Sequence, residues 1–353
     1  MERSFKKEVG QLRLGTGETF SGEGILAVTK ALLQSGVSYI GGYQGSPISQ
    51  LLDVMVDASD LLDELGVHLE TPTGEAAAAA MLAASINYPM RGAVTWKSVV
   101  GTNVASDALS NIASAGVMGG ALIVIGEDYG EGASIIQERS HAYAMKSSMC
   151  LLDPRPDLAS IVRSVERGFD LSEVSNMPVM LQLRIRACHV TGSFVARNNR
   201  EPLVSRKQVL QEPNFDIEKF CLPPSTYLQE KKKVESRLPA AEKFIVENKL
   251  NETFGPDSCD IGIITLGGHY NGVVRSLERL GMSDIYGNTK IPIYVMNVAY
   301  PAVPSEIINF CADKKVVLVI EEGFPEYIEQ AVNVALRQAN QSTTVMGKNL
   351  LPK

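Results

Sequence analysis

Cysteine and tryptophan are scarce in this sequence, with five cysteines (Cys150, Cys188, Cys221, Cys259 and Cys311) and a single tryptophan, Trp96, among 353 residues. The cysteines form no CxxC pair and have no histidine at a metal-ligand spacing, which argues against a zinc or disulfide framework. They are expected as small apolar fillers in a reduced compartment. No run of about eighteen apolar residues occurs, and the N-terminal stretch MERSFKKEVGQLRLG lacks the apolar segment of a signal peptide. A cytoplasmic chain without a membrane span is expected. Basic residues are outnumbered, 33 Lys and Arg against 40 Asp and Glu, for a net charge of −7. The only dense basic run, Lys231-Lys232-Lys233, lies beside Gln229 and Glu230 and reads as a solvated helix face. Nucleic-acid binding, which rests on phosphate neutralisation, is therefore disfavoured. There is also no Walker A sequence, no GxGxxG after a strand, no GxSxG elbow and no HExxH. His68, His189 and His269 sit beside predicted strands without clustered ligands.

What the sequence does have is alternation. From Val37 onward short β-type apolar runs (VSYIGG, VHLE, AVTW, ALIVIG, PVMLQLRI) alternate with longer helical stretches, the signature of βαβ units and a largely parallel sheet. The pattern predicts a helix over 157–171 and a buried strand over 178–185. Residues 196–257 turn charged and proline-containing; they are assigned to a linker with one or two surface helices and a break at Pro239. Alternation resumes at IGIITLG, residues 261–267, and predicts a second α/β domain of roughly three strands. The predicted organisation is thus a doubly wound, largely parallel α/β domain over 1–195, the linker, and a smaller α/β domain over 258–353.

In such sheets ligands gather where strands end and helices begin, and four junctions stand out. In GGYQGSPISQ, residues 41–50, backbone amides and the Ser46 hydroxyl suit an anionic or polar group, although Gly and Pro also punctuate plain turns. In TPTGEAAAAAMLAASI, residues 71–86, Glu75 heads a segment whose next eleven residues carry no charge. A carboxylate in a first helical turn gains about 0.3–1 kcal/mol from the helix dipole, which suffices on an exposed helix. Yet the alanine helix has no polar face and is expected to be buried all round, which would leave Glu75 partly buried and in need of a partner. In TWKSVVGTNVASDAL, residues 95–109, Lys97 ends a strand, equally suited to a substrate carboxylate or to solvent. In GEDYGEGASIIQERSHAYA, residues 126–144, Glu127, Asp128, Glu138, Arg139 and His141 make a polar loop, most of whose charges are expected in solvent.

In this order the junctions resemble the pyrimidine-binding domain of thiamine diphosphate enzymes, most closely the alpha subunits of the indolepyruvate type within the 2-oxoacid:ferredoxin oxidoreductase family. GYQGSPISQLLDVM, TGEAAAAAMLAASINYPMRGAVTWKSVVGTNVASDAL and GVMGGALIVIGEDYG carry the likeness. IGIITLGGHYNGVVRSL and VVLVIEEGFPEYIEQAV resemble that family's transketolase-C-like domain. The likeness spans about 12–195 and 258–345.

The resemblance implies a thiamine diphosphate site in which Glu75 is catalytic, sharing a proton with N1′ of the aminopyrimidine so that the thiazolium C2 can be deprotonated. It further implies that Tyr43, Gly45, Ser46 and Pro47 lie near the thiazolium, and that Lys97 or Ser98, with Ser46, meets the 2-oxoacid. The family's versions of these stretches run closer to GYPGTP and MKHVG; Gln44, Ser46 and Trp96 depart from them on the substrate side. A GDG-type turn for Mg²⁺ and diphosphate is absent, as are the cysteine clusters for two 4Fe–4S centres. The resemblance therefore implies that partner chains, or a missing C-terminal part, supply these groups, and that the assembly is a hetero-oligomer. A diphosphate-binding thiamine subunit, a gamma-type oxidoreductase subunit and a ferredoxin-like carrier would be the partners, and coenzyme A the co-substrate. The expected reaction is oxidative decarboxylation of an aryl or branched 2-oxoacid to its acyl-CoA. A split-subunit non-oxidative decarboxylase and a non-catalytic scaffold are the alternatives.

Overall fold

A computed structural model describes residues 4–128, 136, 138–208 and 215–350. Its strands are β1 Thr19–Glu23, β2 Tyr39–Gly42, β3 His68–Glu70, β4 Gly92–Lys97, β5 Ala121–Glu127, β6 Cys150–Leu152, β7 Val179–Arg184, β8 Thr191–Val195, β9 Glu252–Phe254, β10 Ile261–Leu266, β11 Ile293–Met296, β12 Val298–Tyr300, β13 Val316–Ile320 and β14 Thr344–Met346. Seven of them form one sheet in the order β12-β6-β7-β5-β4-β2-β3, parallel throughout except for β12. The central strands β2, β5 and β7 are buried along their whole length, as expected for parallel strands covered on both faces.

Successive residues of these strands feed two separate cores. Ile40, Ala93, Leu122, Val124 and Leu181 face the helices Gly24–Gln34 and Leu158–Ser175. Tyr39, Val94, Trp96, Ile123, Ile125 and Met180 face the opposite layer, whose core runs on into the second domain. The predicted 157–171 helix is Leu158–Ser175, its first turn capped by Asp157, which accepts from the Ser160 amide at 2.9 Å. The doubly wound fold class follows directly from this two-sided burial.

The second domain carries a five-stranded sheet, β14-β13-β10-β11-β9, rather than about three strands. The two extra strands are the edges β9 and β14, each of three residues, too short to carry a readable alternation. β9 comes from the stretch assigned to the linker, and β12, from beyond residue 258, pairs with β6 of the first sheet.

Pro239 does not break the linker helix. Helix runs from Ser225 to Glu247, with a π-helical turn at Lys233–Arg237 that ends one residue short of the proline. A missing N–H and a ring that crowds the preceding carbonyl are accommodated by such a widened turn.

The alanine segment also differs from expectation. Its helix is Glu75–Met81, with a second short helix at Ala84–Asn87. Ala78, Ala79 and Leu82 are buried, but Ala76, Ala77, Ala80 and Ala83 are exposed. A helix without charge is here buried on one side and presents a stripe of methyl groups on the other, near the exposed Val100 and Val104 of the helix Ser98–Val104.

Cys150, Cys188 and Cys311 are buried as expected, whereas Cys221 is exposed and Cys259 partly so. Burial pushes the Cys150 and Cys188 thiols up to about 12, which leaves them protonated and unreactive at neutral pH. No described helix is long and apolar enough to cross a membrane, and no described group of three or more His, Cys, Asp or Glu side chains is placed to hold a metal ion.

Candidate active site at the strand ends

Close backbone approaches bring the junctions together. The Tyr43 amide donates to the Thr95 carbonyl at 3.0 Å, so the GYQGSP turn lies along β4. A methyl group on Gly45 would stand 2.6 Å from Lys97 Cβ, and one on Gly126, in β5, 2.8 Å from Ile48 Cβ. Gly101, inside the helix Ser98–Val104, faces both Trp96 and Glu75: a Cβ there would lie 2.4 Å from Trp96 Cδ1 and 2.9 Å from Glu75 Cγ. Three strand ends and the head of the alanine helix thus form one contiguous site. Tyr43 and Ser46 are exposed on its rim and Pro47 is buried beneath.

Gly101 illustrates how contact overrides propensity. Alanine in a helix interior is favoured over glycine by roughly 0.5–1 kcal/mol. The collision with the buried Trp96 ring reverses the sign, and Gly101→Ala is expected to destabilise by about 1–3 kcal/mol, read as a lower midpoint in chemical denaturation. A raised midpoint would refute the close approach.

Glu75 is only 8% exposed at the first position of its helix. Among the described residues its carboxylate takes no hydrogen bond and no ion pair. The position is the one expected; the partner is not supplied by these residues. Trp96 is fully buried and its Nε1 donates to Thr102 Oγ1 at 3.2 Å.

Lys97 and Ser98 are both engaged. Lys97 Nζ lies 3.4 Å from Asp128 Oδ2, with the aspartate side chain fully buried. An ammonium has three donors, so two remain for another ligand. Ser98 is buried, and its hydroxyl donates to Glu127 Oε2 at 3.0 Å. Its one proton is therefore committed. Gln44 donates to Asp53 at 3.2 Å.

The fourth junction corrects the expectation of solvated charges. Residues 129–135 and 137 of that loop lie outside the described residues. Of the five ionisable side chains singled out there, Glu127, Asp128, Arg139 and His141 are buried, and Glu138 is exposed, accepting from Asn103 at 3.1 Å. Arg139 pairs with Glu321 at 2.9 Å and lies over the Tyr327 ring at 5.1 Å. His141 stacks on that ring at 4.8 Å with an interplanar angle of 2°. A second bridge between the domains runs through Arg184, at the end of β7, which pairs with Asp153 at 2.9 Å and also with Glu322. Beside it is a cleft of about 270 Å³ lined by Asp153, Arg184, Arg186, Gly268, His269 and Glu322. The sequence signal for these anchors is modest: acidic pairs, Glu127-Asp128 and Glu321-Glu322, directly after apolar strands.

Both histidines at the domain contact resist protonation. Burial, and next the Arg139 charge, lower His141 to about 3; burial, and next Arg184, lower His269 to about 4. The ordinary histidine value is 6.5, so below it the unfolded chain binds protons that the fold refuses. Stability is then complete above about pH 6.5 and falls as pH drops toward 4, by up to about 1.4 kcal/mol per unit for each histidine. Thermal unfolding from pH 7 to 4.5 is expected to show this decline, with His141→Phe flattening it. An unchanged slope in that variant would contradict it.

Comparison with known proteins bears first on the fold. No protein-family model matches the chain. The fold is that of a 2-oxoacid:ferredoxin oxidoreductase. The 2-oxoglutarate:ferredoxin oxidoreductase from Magnetococcus marinus, solved with 2-oxoglutarate, coenzyme A and succinyl-CoA bound, superposes with a TM-score of 0.67 at 17% identity, covering 93% of this chain and 62% of that one. More particularly, the chain is similar to indolepyruvate oxidoreductase subunit IorA. The protein of Methanothermobacter thermautotrophicus is 28% identical over 326 residues and that of Pyrococcus horikoshii 25% identical over 336. These alignments cover 91% and 93% of the chain but 49% of each relative, so the chain spans about half the length of the curated relatives it matches.

Proposed function

We propose that this chain is the pyrimidine-binding subunit of a thiamine diphosphate-dependent 2-oxoacid:acceptor oxidoreductase. The proposed reaction is oxidative decarboxylation of an aryl or branched 2-oxoacid, such as indolepyruvate, to its acyl-CoA. The observation that carries this reading is Glu75, a carboxylate 8% exposed and without a partner among the described residues, at the meeting point of three strand ends. The residue is buried, yet neither carboxylate oxygen is among the enclosed unpartnered side-chain atoms, so the group opens onto the site. A ligand nitrogen bearing or sharing a proton would pair with it there, and N1′ of an aminopyrimidine is such a nitrogen.

Bound thiamine diphosphate supplies the nucleophilic carbon and the electron sink for loss of carbon dioxide. The chain's own residues bind and orient. Glu75 holds a proton at the pyrimidine; Tyr43, Gly45, Ser46 and Pro47 form the wall on the thiazolium side. Lys97 offers its two remaining N–H donors to the oxoacid carboxylate, while Ser46 and Ser98 flank the reacting carbon. Mg²⁺ with the diphosphate, the 4Fe–4S clusters and the ferredoxin-facing surface belong to partner chains or further domains. A diphosphate-binding subunit and a gamma-type subunit complete the proposed hetero-oligomer.

The test is reconstitution with a diphosphate-binding partner subunit, followed by coenzyme A-dependent reduction of a viologen dye with indolepyruvate, branched 2-oxoacids and 2-oxoglutarate. Acyl-CoA formation with dye reduction is expected. Aldehyde without dye reduction would instead indicate non-oxidative decarboxylation, and an assembly without thiamine or turnover a scaffold.

A further inference from the structure

We propose that Glu127 is a positioning residue for the substrate side of this site, acting through Ser98. The inference rests on the functional reading above and deepens it. Glu127 ends β5 and is only 3% exposed. Its Oε2 accepts two hydrogen bonds, from Ser98 Oγ at 3.0 Å and from the Ser140 backbone amide at 3.0 Å. Ser140 is the first residue of the helix Ser140–Ser147, so the carboxylate faces the positive end of a helix, which offsets the cost of burying its charge.

The geometry couples two consecutive pairs. In the β4–β5 register Lys97 stands opposite Gly126, so Lys97 and Ser98 face the acidic pair Asp128 and Glu127 just beyond it. One pair sets the other: Asp128 takes the ammonium and Glu127 takes the hydroxyl. Ser98 is also the first residue of the helix Ser98–Val104, which carries Gly101 against Trp96 and Glu75. Fixing Ser98 therefore fixes the strand-to-helix junction at which Trp96 and Lys97 end β4.

The other end of the bracket is equally rigid. Arg139, immediately before Ser140, pairs with Glu321 and donates to the Pro325 carbonyl at 3.2 Å. Glu321 in turn accepts from the Ile328 and Glu329 amides at 3.1 and 2.9 Å. Glu127 thus transmits a position set in the second domain to a side chain at the candidate site. Both hydrogen bonds run from buried neutral donors to its carboxylate, which makes them charge-assisted, the kind that hold geometry. Glutamine keeps an acceptor oxygen at the same place; alanine removes it.

The test uses Glu127→Gln, Glu127→Ala, Ser98→Ala and the Ala–Ala double variant in the assembled complex. Displacing a binding group costs ~10- to 100-fold. Glu127→Ala and Ser98→Ala are each expected to raise the oxoacid KM on that scale, with kcat and thiamine diphosphate affinity changed no more than ~3-fold. Glu127→Gln is expected to stay near the parent enzyme. The double variant should be no worse than the worse single, the non-additivity of residues that act as a unit. A plain structural role predicts additive effects, losses in kcat and thiamine affinity alongside KM, and no rescue by Gln; any of these overturns the proposal.

A second readout needs no turnover. Trp96 is the only tryptophan of the chain, so its emission in the isolated full chain reports this strand-to-helix junction. Glu127→Ala and Ser98→Ala should shift it to the red by similar amounts, and Glu127→Gln should not. If the parent complex turns over no 2-oxoacid, the functional reading fails on its own and this emission series decides the positioning role; an unmoved emission in Glu127→Ala rejects it.

Discussion

Glu75→Gln in the assembled complex is expected to reduce turnover by about 10²–10⁴-fold, the range that a positioned acid–base group contributes. Glutamine has the same shape and a similar capacity for hydrogen bonds, but it cannot hold and release a proton at the ring nitrogen. The same substitution should leave the fold intact. No described residue pairs with the carboxylate, and neither of its oxygens is among the enclosed unpartnered atoms, so a neutral amide of the same shape breaks no contact there. An unchanged melting temperature together with lost turnover is the expected pair of results. Near-normal turnover in Glu75→Gln would remove the proton-sharing role, and a collapsed fold would make Glu75 a structural residue. Initial-rate measurements alongside calorimetry distinguish the three outcomes.

The largest expected effect on stability comes from Arg139→Ala. The Arg139 and Glu321 side chains are 4% and 1% exposed, and removing one member of so buried a pair typically costs about 3–5 kcal/mol because the other charge is left uncompensated. Here Glu321 would retain the Ile328 and Glu329 amides, which soften the loss without replacing the cation. The Tyr327 ring loses its overlying guanidinium as well. Replacing both ends, Arg139→Met with Glu321→Gln, should cost clearly less than Arg139→Ala alone, since no unpaired charge remains and the amide oxygen still accepts from the helix terminus. Denaturant unfolding of the single and double variants measures this directly. A single variant within about 1 kcal/mol of the parent, the range of exposed ion pairs, would show that the pair does not hold the domains together.

Much of the architecture was legible because it obeys short-range rules. The strands β2, β4, β5 and β7 were readable as apolar runs bounded by glycine and polar turns, and the helical stretch 157–171 as the Leu158–Ser175 helix. The edge strands β9 and β14 were not, since three residues carry no period. Pro239 misled because a proline's missing N–H is a local fact, whereas the π-helical turn that absorbs it is a property of the whole Ser225–Glu247 helix. The alanine stretch misled in the opposite direction: absence of charge says that a helix tolerates burial, and only packing says which of its sides is covered.

By itself the sequence determined the alternation that makes a doubly wound sheet, the junctions at which a ligand can sit, and the place of Glu75 at the head of an uncharged helix. Each of these depends on residues within a few positions of one another. The tertiary structure decided which charges are buried and with whom. Arg139 meets Glu321 across 182 residues of chain, and Glu127 meets Ser98 across 29. An ionisable side chain reads as solvent-facing until a distant segment supplies the partner that makes its burial affordable. That long-range pairing is what turned a polar loop into the anchored wall of the site.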